Sequence, residues 1–132
     1  MSIRFQYVEF KGRFLPIIPI DIEGLGEWTE FKAFVDSGAG YSVFHSDVAE
    51  ILGIKLEDGK KDYVTVGDGS QIIVYIHEVK VKIGGKEFAA TIGFSRRLGI
   101  GFNILGQKDV FEKFKICFDK TDKIVEFHPK ED

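Results

Sequence analysis

Apolar residues along this chain fall in short runs that mostly alternate with polar ones, and helical spacing is rare, which predicts strands nearly throughout. Phe14-Leu15-Pro16-Ile17-Ile18-Pro19-Ile20-Asp21-Ile22 is apolar and extended, and its prolines place it on a sheet edge or leave it short of a ladder bond. Gly24-Leu25-Gly26-Glu27 reads as a turn, followed by a strand from Trp28 to Val35. Asp36-Ser37-Gly38-Ala39-Gly40 breaks that strand sharply, and Tyr41-Ser42-Val43-Phe44 resumes as another. A helix follows, with Ser46 as N-cap, Asp47 and Glu50 suiting its positive start, Gly53 as its stop, and Val48, Ile51 and Leu52 on one face.

Further on, Tyr63 to Val66 and Gln71 to Ile76 flank Gly67-Asp68-Gly69-Ser70, the pattern of a long hairpin with a glycine-rich tip. Val79 to Ile83 alternates, and Gly84-Gly85 turns it into Phe88-Ala89-Ala90-Thr91-Ile92. Asn103-Ile104-Leu105-Gly106 reads as a strand end. A second short helix is predicted over residues 108–114, with Val110, Phe111 and Phe114 on one face. Lys115 to Phe118 and Lys123 to Phe127 close the chain as strands. A strand, a glycine break and a short helix thus occur twice, and only the first copy carries an acid at the break.

Composition sharpens this picture. With 13 Phe and 15 Gly against 3 Pro and 1 Met, the chain favours an all-β architecture with tight turns. Its 132 residues suit one domain over 1–132, able to bury a core without metal or disulfide support. A net charge of −3 without a basic block argues against nucleic acid or an anionic membrane as the main partner. The single cysteine, Cys117, cannot form an internal disulfide and is expected to be packed in its strand. Without a signal-like N-terminus or a long apolar span, the expected location is cytoplasmic. His45, His77 and His128 lack metal-ligand spacing and are expected on the surface or on edge strands. Asp58, Asp62, Asp119 and Asp122 sit among lysines, as in solvated turns. Gly38-Ala39-Gly40 imitates a dinucleotide fingerprint, but Val43 stands where the third glycine belongs, and Asp36 would repel a pyrophosphate.

Asp36 is the residue that could carry chemistry. It follows the apolar run Ala33-Phe34-Val35, where the chain is entering or leaving the core and an acid loses solvation unless it is compensated. The Ser37 hydroxyl and the N–H groups around Gly38 offer that compensation. The plainer reading is a turn in which Asp36 accepts from the N–H two residues on. The hairpin at Gly67-Asp68-Gly69 is open to the same plain reading.

Phe34-Val35-Asp36-Ser37-Gly38-Ala39 resembles the hydrophobic-hydrophobic-Asp-Thr/Ser-Gly-Ala signature of aspartic proteases. Asn103-Ile104-Leu105-Gly106 resembles their second element, a hydrophobic pair and Gly running into a short helix. The hairpin lies between the two, where that family places its flap. The resemblance covers roughly residues 14–128 and is strongest to retropepsin-like proteins with one Asp-Ser-Gly per chain. It implies a small, partly closed β-barrel of acid-protease type with two short helices. It also implies an aspartic endopeptidase acting as a homodimer on a peptide or protein substrate, without a cofactor or metal. Asp36, Ser37 and Gly38 would be catalytic, with Ser37 bonding across the two-fold axis and Gly38 letting the two backbones approach. Ala39, Gly40, Gly67, Asp68 and Gly69 would bind substrate. The chain departs from the retroviral branch after Ala39, where those enzymes carry an acid that grips substrate backbone and this sequence has Gly40 and Tyr41. The alternative is the same fold used, without catalysis, for peptide binding or dimerisation.

Overall fold

The computed structural model describes residues 2–131. Strands β1 (Ile3–Gln6), β2 (Val8–Phe10), β3 (Arg13–Leu15), β4 (Ile17–Gly24), β5 (Glu27–Val35) and β6 (Ser42–His45) precede helix α1 (Ser46–Ile51). After a single 3₁₀ turn at Leu56–Asp58 come β7 (Lys60–Thr65), β8 (Gln71–Ile83), β9 (Lys86–Ser95), β10 (Asn103–Leu105), β11 (Phe114–Asp119) and β12 (Ile124–Pro129).

Six strands form a partly closed barrel in the order β4-β5-β10-β6-β9-β8, with β8 returning to β4 and β7 extending outside as a seventh strand. Closure rests on a short seam, Asp21 opposite Lys82 and Ile22 opposite Val81. Pro19 lies where β4 is paired with β5 alone, which is where a strand tolerates a missing donor. Buried positions alternate along β4 from Ile18 to Ile22, along β8 from Val79 to Ile83 and along β9 from Phe88 to Ile92, as a half-buried pleat requires. Ile18, Ile20 and Ile22 of β4, Val79, Val81 and Ile83 of β8, and Ala90, Ile92 and Phe94 of β9 are all buried in one core. A three-stranded sheet, β1-β12-β11, adds to this core through Phe114 and Phe127, whose rings meet edge-to-face at 5.2 Å.

β8 is the strand that connects the barrel to the site. Residues 71–76 pair with β7 as a projecting hairpin, while residues 75–83 pair with β9 inside the barrel. The sequence divides this stretch into two runs, and the structure carries it through as one strand.

Two helix expectations need correction. α1 forms where predicted, but its N-cap is His45 rather than Ser46, and no side chain caps it. Gly53 ends it as expected, with a left-handed φ of +72°. The predicted second helix is absent: residues 108–113 form turns between β10 and β11, and Phe114 already opens β11. Asp109 has φ +66°, which breaks a right-handed helix. Its carboxylate accepts the Thr91 N–H of β9 at 2.7 Å, and its own N–H donates to Glu112 Oε1 at 3.1 Å. The apolar face that suggested a helix is real, since Val110 and Phe114 are buried, but it is presented by a turn and by the start of β11.

Candidate functional site

Asp36 leaves the core at the end of β5. β10 runs parallel to β5, with Ile104 opposite Phe34 and Leu105 opposite Val35, and antiparallel to β6 through Ile104 and Val43. The Asp36 N–H donates to Leu105 O at 2.9 Å, so the acid stands one residue beyond the last paired position. Its Oδ1 accepts the Gly38 N–H at 2.9 Å, and Ala39 N–H donates to Asp36 O at 3.2 Å. The plain turn reading is therefore geometrically correct. It occupies one carboxylate oxygen and leaves Oδ2 without a hydrogen bond among the described residues. Asp36 is half-exposed in the single chain, as befits a residue where the chain leaves the core.

The loop is held against the end of β10 by several bonds. Gln107 N–H donates to Ala39 O at 2.8 Å, Lys108 N–H to Gly40 O at 2.9 Å, and Gln107 Nε2 to Ser37 O at 2.6 Å. Buried Ser42 Oγ accepts Gly106 N–H at 3.0 Å. Gly106 is required by close approach, because a Cβ there would lie 2.4 Å from Tyr41 O and 2.8 Å from Ala39 O. Asn103 braces the same floor, with Oδ1 accepting the His45 N–H at 2.9 Å and Nδ2 donating to Lys32 O at 3.0 Å.

A cleft of about 690 Å³ opens above this floor. Asp36, Gly38, Ala39, Gly40, Tyr41, Val43 and Ile104 form its base, the β7–β8 hairpin one wall, and Arg97-Leu98-Gly99-Ile100 another. Val43, Val74 and Leu98 make a small separate apolar cluster beneath it, against which Tyr41, Val64, Ile72 and Ile104 pack. Of the residues expected from the sequence, Asp36, Gly38, Ala39, Gly40, Gly67 and Asp68 line the cleft, while Ser37 and Gly69 do not. Gly69 serves the turn instead, with φ +87° and its N–H donating to Val66 O at 2.9 Å. Ser37 is exposed, and in the single chain only its carbonyl is used.

At the hairpin tip, Asp68 Oδ1 accepts both the Ser70 hydroxyl at 2.6 Å and the Ser70 N–H at 2.9 Å. These bonds, the hydroxyl's first, hold the Asp68 carboxyl below the usual carboxylate range. Sequence reasoning missed the Arg97–Ile100 wall. The available signal was a second glycine-rich stretch, Gly99-Ile100-Gly101, just before Asn103. His77 lies in β8 where that strand pairs with β9 alone, beyond the last β7 partner at Ile76, and its Nε2 is 2.9 Å from Leu56 O. Among the described residues, no group of His, Cys, Asp and Glu gathers as a metal site.

A family model described as gag-polyprotein putative aspartyl protease matches residues 22–108, which include the Asp36 loop, the hairpin and β10. DNA damage-inducible protein 1 of Neurospora crassa is 31% identical over 102 residues, 76% of this chain. The chain spans only 22% of that relative's length. A retropepsin-like aspartic protease from Rickettsia conorii superposes with a TM-score of 0.65 at 21% identity, covering 99% of this chain and 94% of that one. The EIAV protease complexed with the inhibitor HBY-793 gives a TM-score of 0.55 at 22% identity, covering 76% of this chain and 88% of that one. At these identities the structural likeness is one of fold.

Proposed function

We propose that this chain, which belongs to the gag-polyprotein aspartyl protease family and has the retropepsin-like fold, is one half of an aspartic endopeptidase whose site is completed by a second copy of itself. The supporting observation is Asp36 at the base of the cleft, with one oxygen committed to Gly38 N–H and the other free. Direct attack of water on a peptide carbonyl needs a base for the water and an acid for the carbonyl oxygen. One carboxylate cannot be both at once.

Among the described residues, no second acid stands beside Asp36. Gly106, one residue past the pair Val35–Leu105, stands next to it, but backbone atoms of Tyr41 and Ala39 fill the space a side chain would need. The other acid lining the cleft, Asp68, is at the hairpin tip and engaged with Ser70. A two-fold axis beside Asp36 brings in the partner's Asp36 without any further residue. Two carboxylates in contact hold one proton between them. The ionised one takes a proton from water as oxygen attacks the carbonyl carbon, and the protonated one gives its proton to the carbonyl oxygen. Collapse of that tetrahedral species breaks the C–N bond, with the amine nitrogen taking up a proton.

Substrate lies extended beneath the β7–β8 hairpin, which acts as a flap, and adds main-chain hydrogen bonds like an extra strand. The apolar lining suits bulky apolar side chains. Subunit mixing tests the shared site. Wild type exchanged with an equal amount of Asp36→Asn leaves roughly a quarter of dimers as wild-type pairs, so activity per dimer falls to about that quarter. Exchange is verified by mass spectrometry of differently tagged chains. Activity near one half means that each chain works alone and overturns the shared site.

A further inference from the structure

Adjacent arginines at the end of β9 are treated differently by the fold. Arg96 turns away from the cleft and pairs with Glu57 beside the 3₁₀ turn. Arg97 lines the cleft and, among the described residues, makes no ion pair. Its backbone is fixed. Arg97 N–H donates to Ser95 Oγ at 3.0 Å, and that buried hydroxyl donates to Ile73 O of β8 at 2.8 Å. Arg97 thus projects from a point tied to the hairpin strand, and its position is set without any partner for its charge.

Its surroundings define what that charge can meet. Tyr41, Val43, Val64, Ile72, Leu98 and Ile104 make the cleft largely apolar. The carboxylates lining it are Asp36, at the base, and Asp68, already bonded to Ser70. Arg97 is the one cation among the described lining residues. A guanidinium at the rim of an apolar channel gains most from a carboxylate that it can bind through two parallel N–H donors.

We infer that Arg97 is a specificity-determining residue that selects extended peptides carrying a carboxylate at one register position, beside apolar side chains elsewhere in the cleft. This rests on the peptide-cleft reading above and adds the charge of the substrate to it. The carboxylate comes from an Asp or Glu side chain or from the peptide's C-terminus, and both present the same fork to a guanidinium.

The test uses the full chain carrying Asp36→Asn, so that bound peptides are not turned over. Fluorescent extended peptides differing only as Glu, Gln or Lys, scanned along the register with amidated ends, are titrated by anisotropy. Matched free-acid and amidated C-termini form a second arm. A Glu peptide at one register position binds about fivefold more tightly than its Gln twin at low salt, and the difference shrinks as salt is raised. A preference seen only in the second arm assigns the carboxylate to the terminus. Adding Arg97→Gln abolishes the preference, Arg97→Glu turns it toward Lys, and Arg97→Lys keeps part of it. Because each variant is read as a ratio between matched peptides, general weakening of the cleft does not mimic the effect. Absence of any carboxylate preference, or one that survives Arg97→Gln, overturns the inference. Wild-type cleavage of the same peptides separates the two claims. Cleavage without charge preference refutes the role of Arg97 alone, whereas an Arg97-dependent preference without cleavage refutes the hydrolase and leaves the role of Arg97 standing. Failure of every peptide to bind refutes both.

Discussion

Asp36 and Asp68 make the same local turn in different surroundings. Each places Oδ1 2.9 Å from the backbone N–H two residues on, Gly38 for the first and Ser70 for the second. Around Asp36, the end of β10 supplies further bonds from Leu105, Gln107 and Lys108, and Gly106 closes the gap from below. At Asp68, the bonds that hold the tip come from the hairpin itself, Gly69 N–H to Val66 O and Val66 N–H to Ser70 O, both 2.9 Å. Asx turns of this kind are common and carry no function by themselves. What separates the two is support from distant sequence. A carboxylate held still by other strands can serve as a positioned base, whereas one on a self-contained tip suits a lid that opens and closes.

The largest effect expected is from Asp36→Asn. Asn can still accept the Gly38 N–H, so the turn persists, but it cannot deprotonate water. Peptide turnover falls by about a thousandfold or more. The melting temperature stays level or rises, because the like-charge repulsion of the proposed carboxylate pair is removed. Retained turnover excludes Asp36 as the base and returns it to the status of Asp68.

Gly106→Ala attacks the support. Backbone carbonyl atoms fill the space the new Cβ needs, so neither side can yield cheaply. A loss of roughly 2–3 kcal/mol in unfolding free energy is expected, with turnover falling alongside. Chemical denaturation measures it. A change within about 0.5 kcal/mol, the range of an ordinary surface substitution, shows that the floor is softer than its contacts imply.

These two residues also mark what was legible in the sequence. The Asp36 break, the β7–β8 hairpin and the Asn103–Gly106 strand end could all be read, because each is a local pattern of apolar run and glycine. The interlock between them was not legible. That Gln107 reaches Ser37, or that Ser42 Oγ holds Gly106 N–H, depends on β10 inserting between β5 and β6, which no local spacing encodes. The missing helix at 108–114 has the same origin. Its apolar spacing is helical, yet the bond from Asp109 to Thr91 N–H ties it to β9 in a conformation that a helix cannot adopt. The Arg97 wall is not legible either, because nothing local to Arg96-Arg97 tells which of the two arginines faces the cleft.

Gln107→Ala is a gentler way to make the Asp36 turn resemble the Asp68 turn. It removes the 2.6 Å bond from Nε2 to Ser37 O and leaves the backbone bond to Ala39 O. The bond is exposed, so about 0.5–1 kcal/mol of stability is at stake. Turnover should drop several-fold, because small displacements of a catalytic group are costly. Unchanged turnover would mean that the backbone ties position Asp36 alone.

The smallest effect concerns the tip itself. The Ser70 hydroxyl, and then the Ser70 N–H, hold the Asp68 carboxyl below its ordinary range, because both bonds favour the ionised form. The sign follows from linkage. A carboxyl whose value is lowered by the folded arrangement contributes order above its ordinary value, and loses it as pH falls through the lowered one. The tip should therefore be most ordered near neutral pH and loosen in acid, while the Asp36 turn keeps its supports from β10. Ser70→Ala removes the larger cause, so the Asp68 carboxyl moves up toward the ordinary carboxylate range and loosening begins at a higher pH. Because Asp68 is fully exposed, global stability should not register the change, and the readout has to be local. Carboxyl carbon NMR titration of Asp68 gives the midpoint, and backbone relaxation at Gly67, Gly69 and Ser70 gives the order. An Asp68 midpoint that stays in place in Ser70→Ala shows that the hydroxyl does not hold the tip. Equal loosening of Gly38 and Gly69 in acid shows that the two turns are no differently supported, and the contrast between fixed base and movable lid then fails.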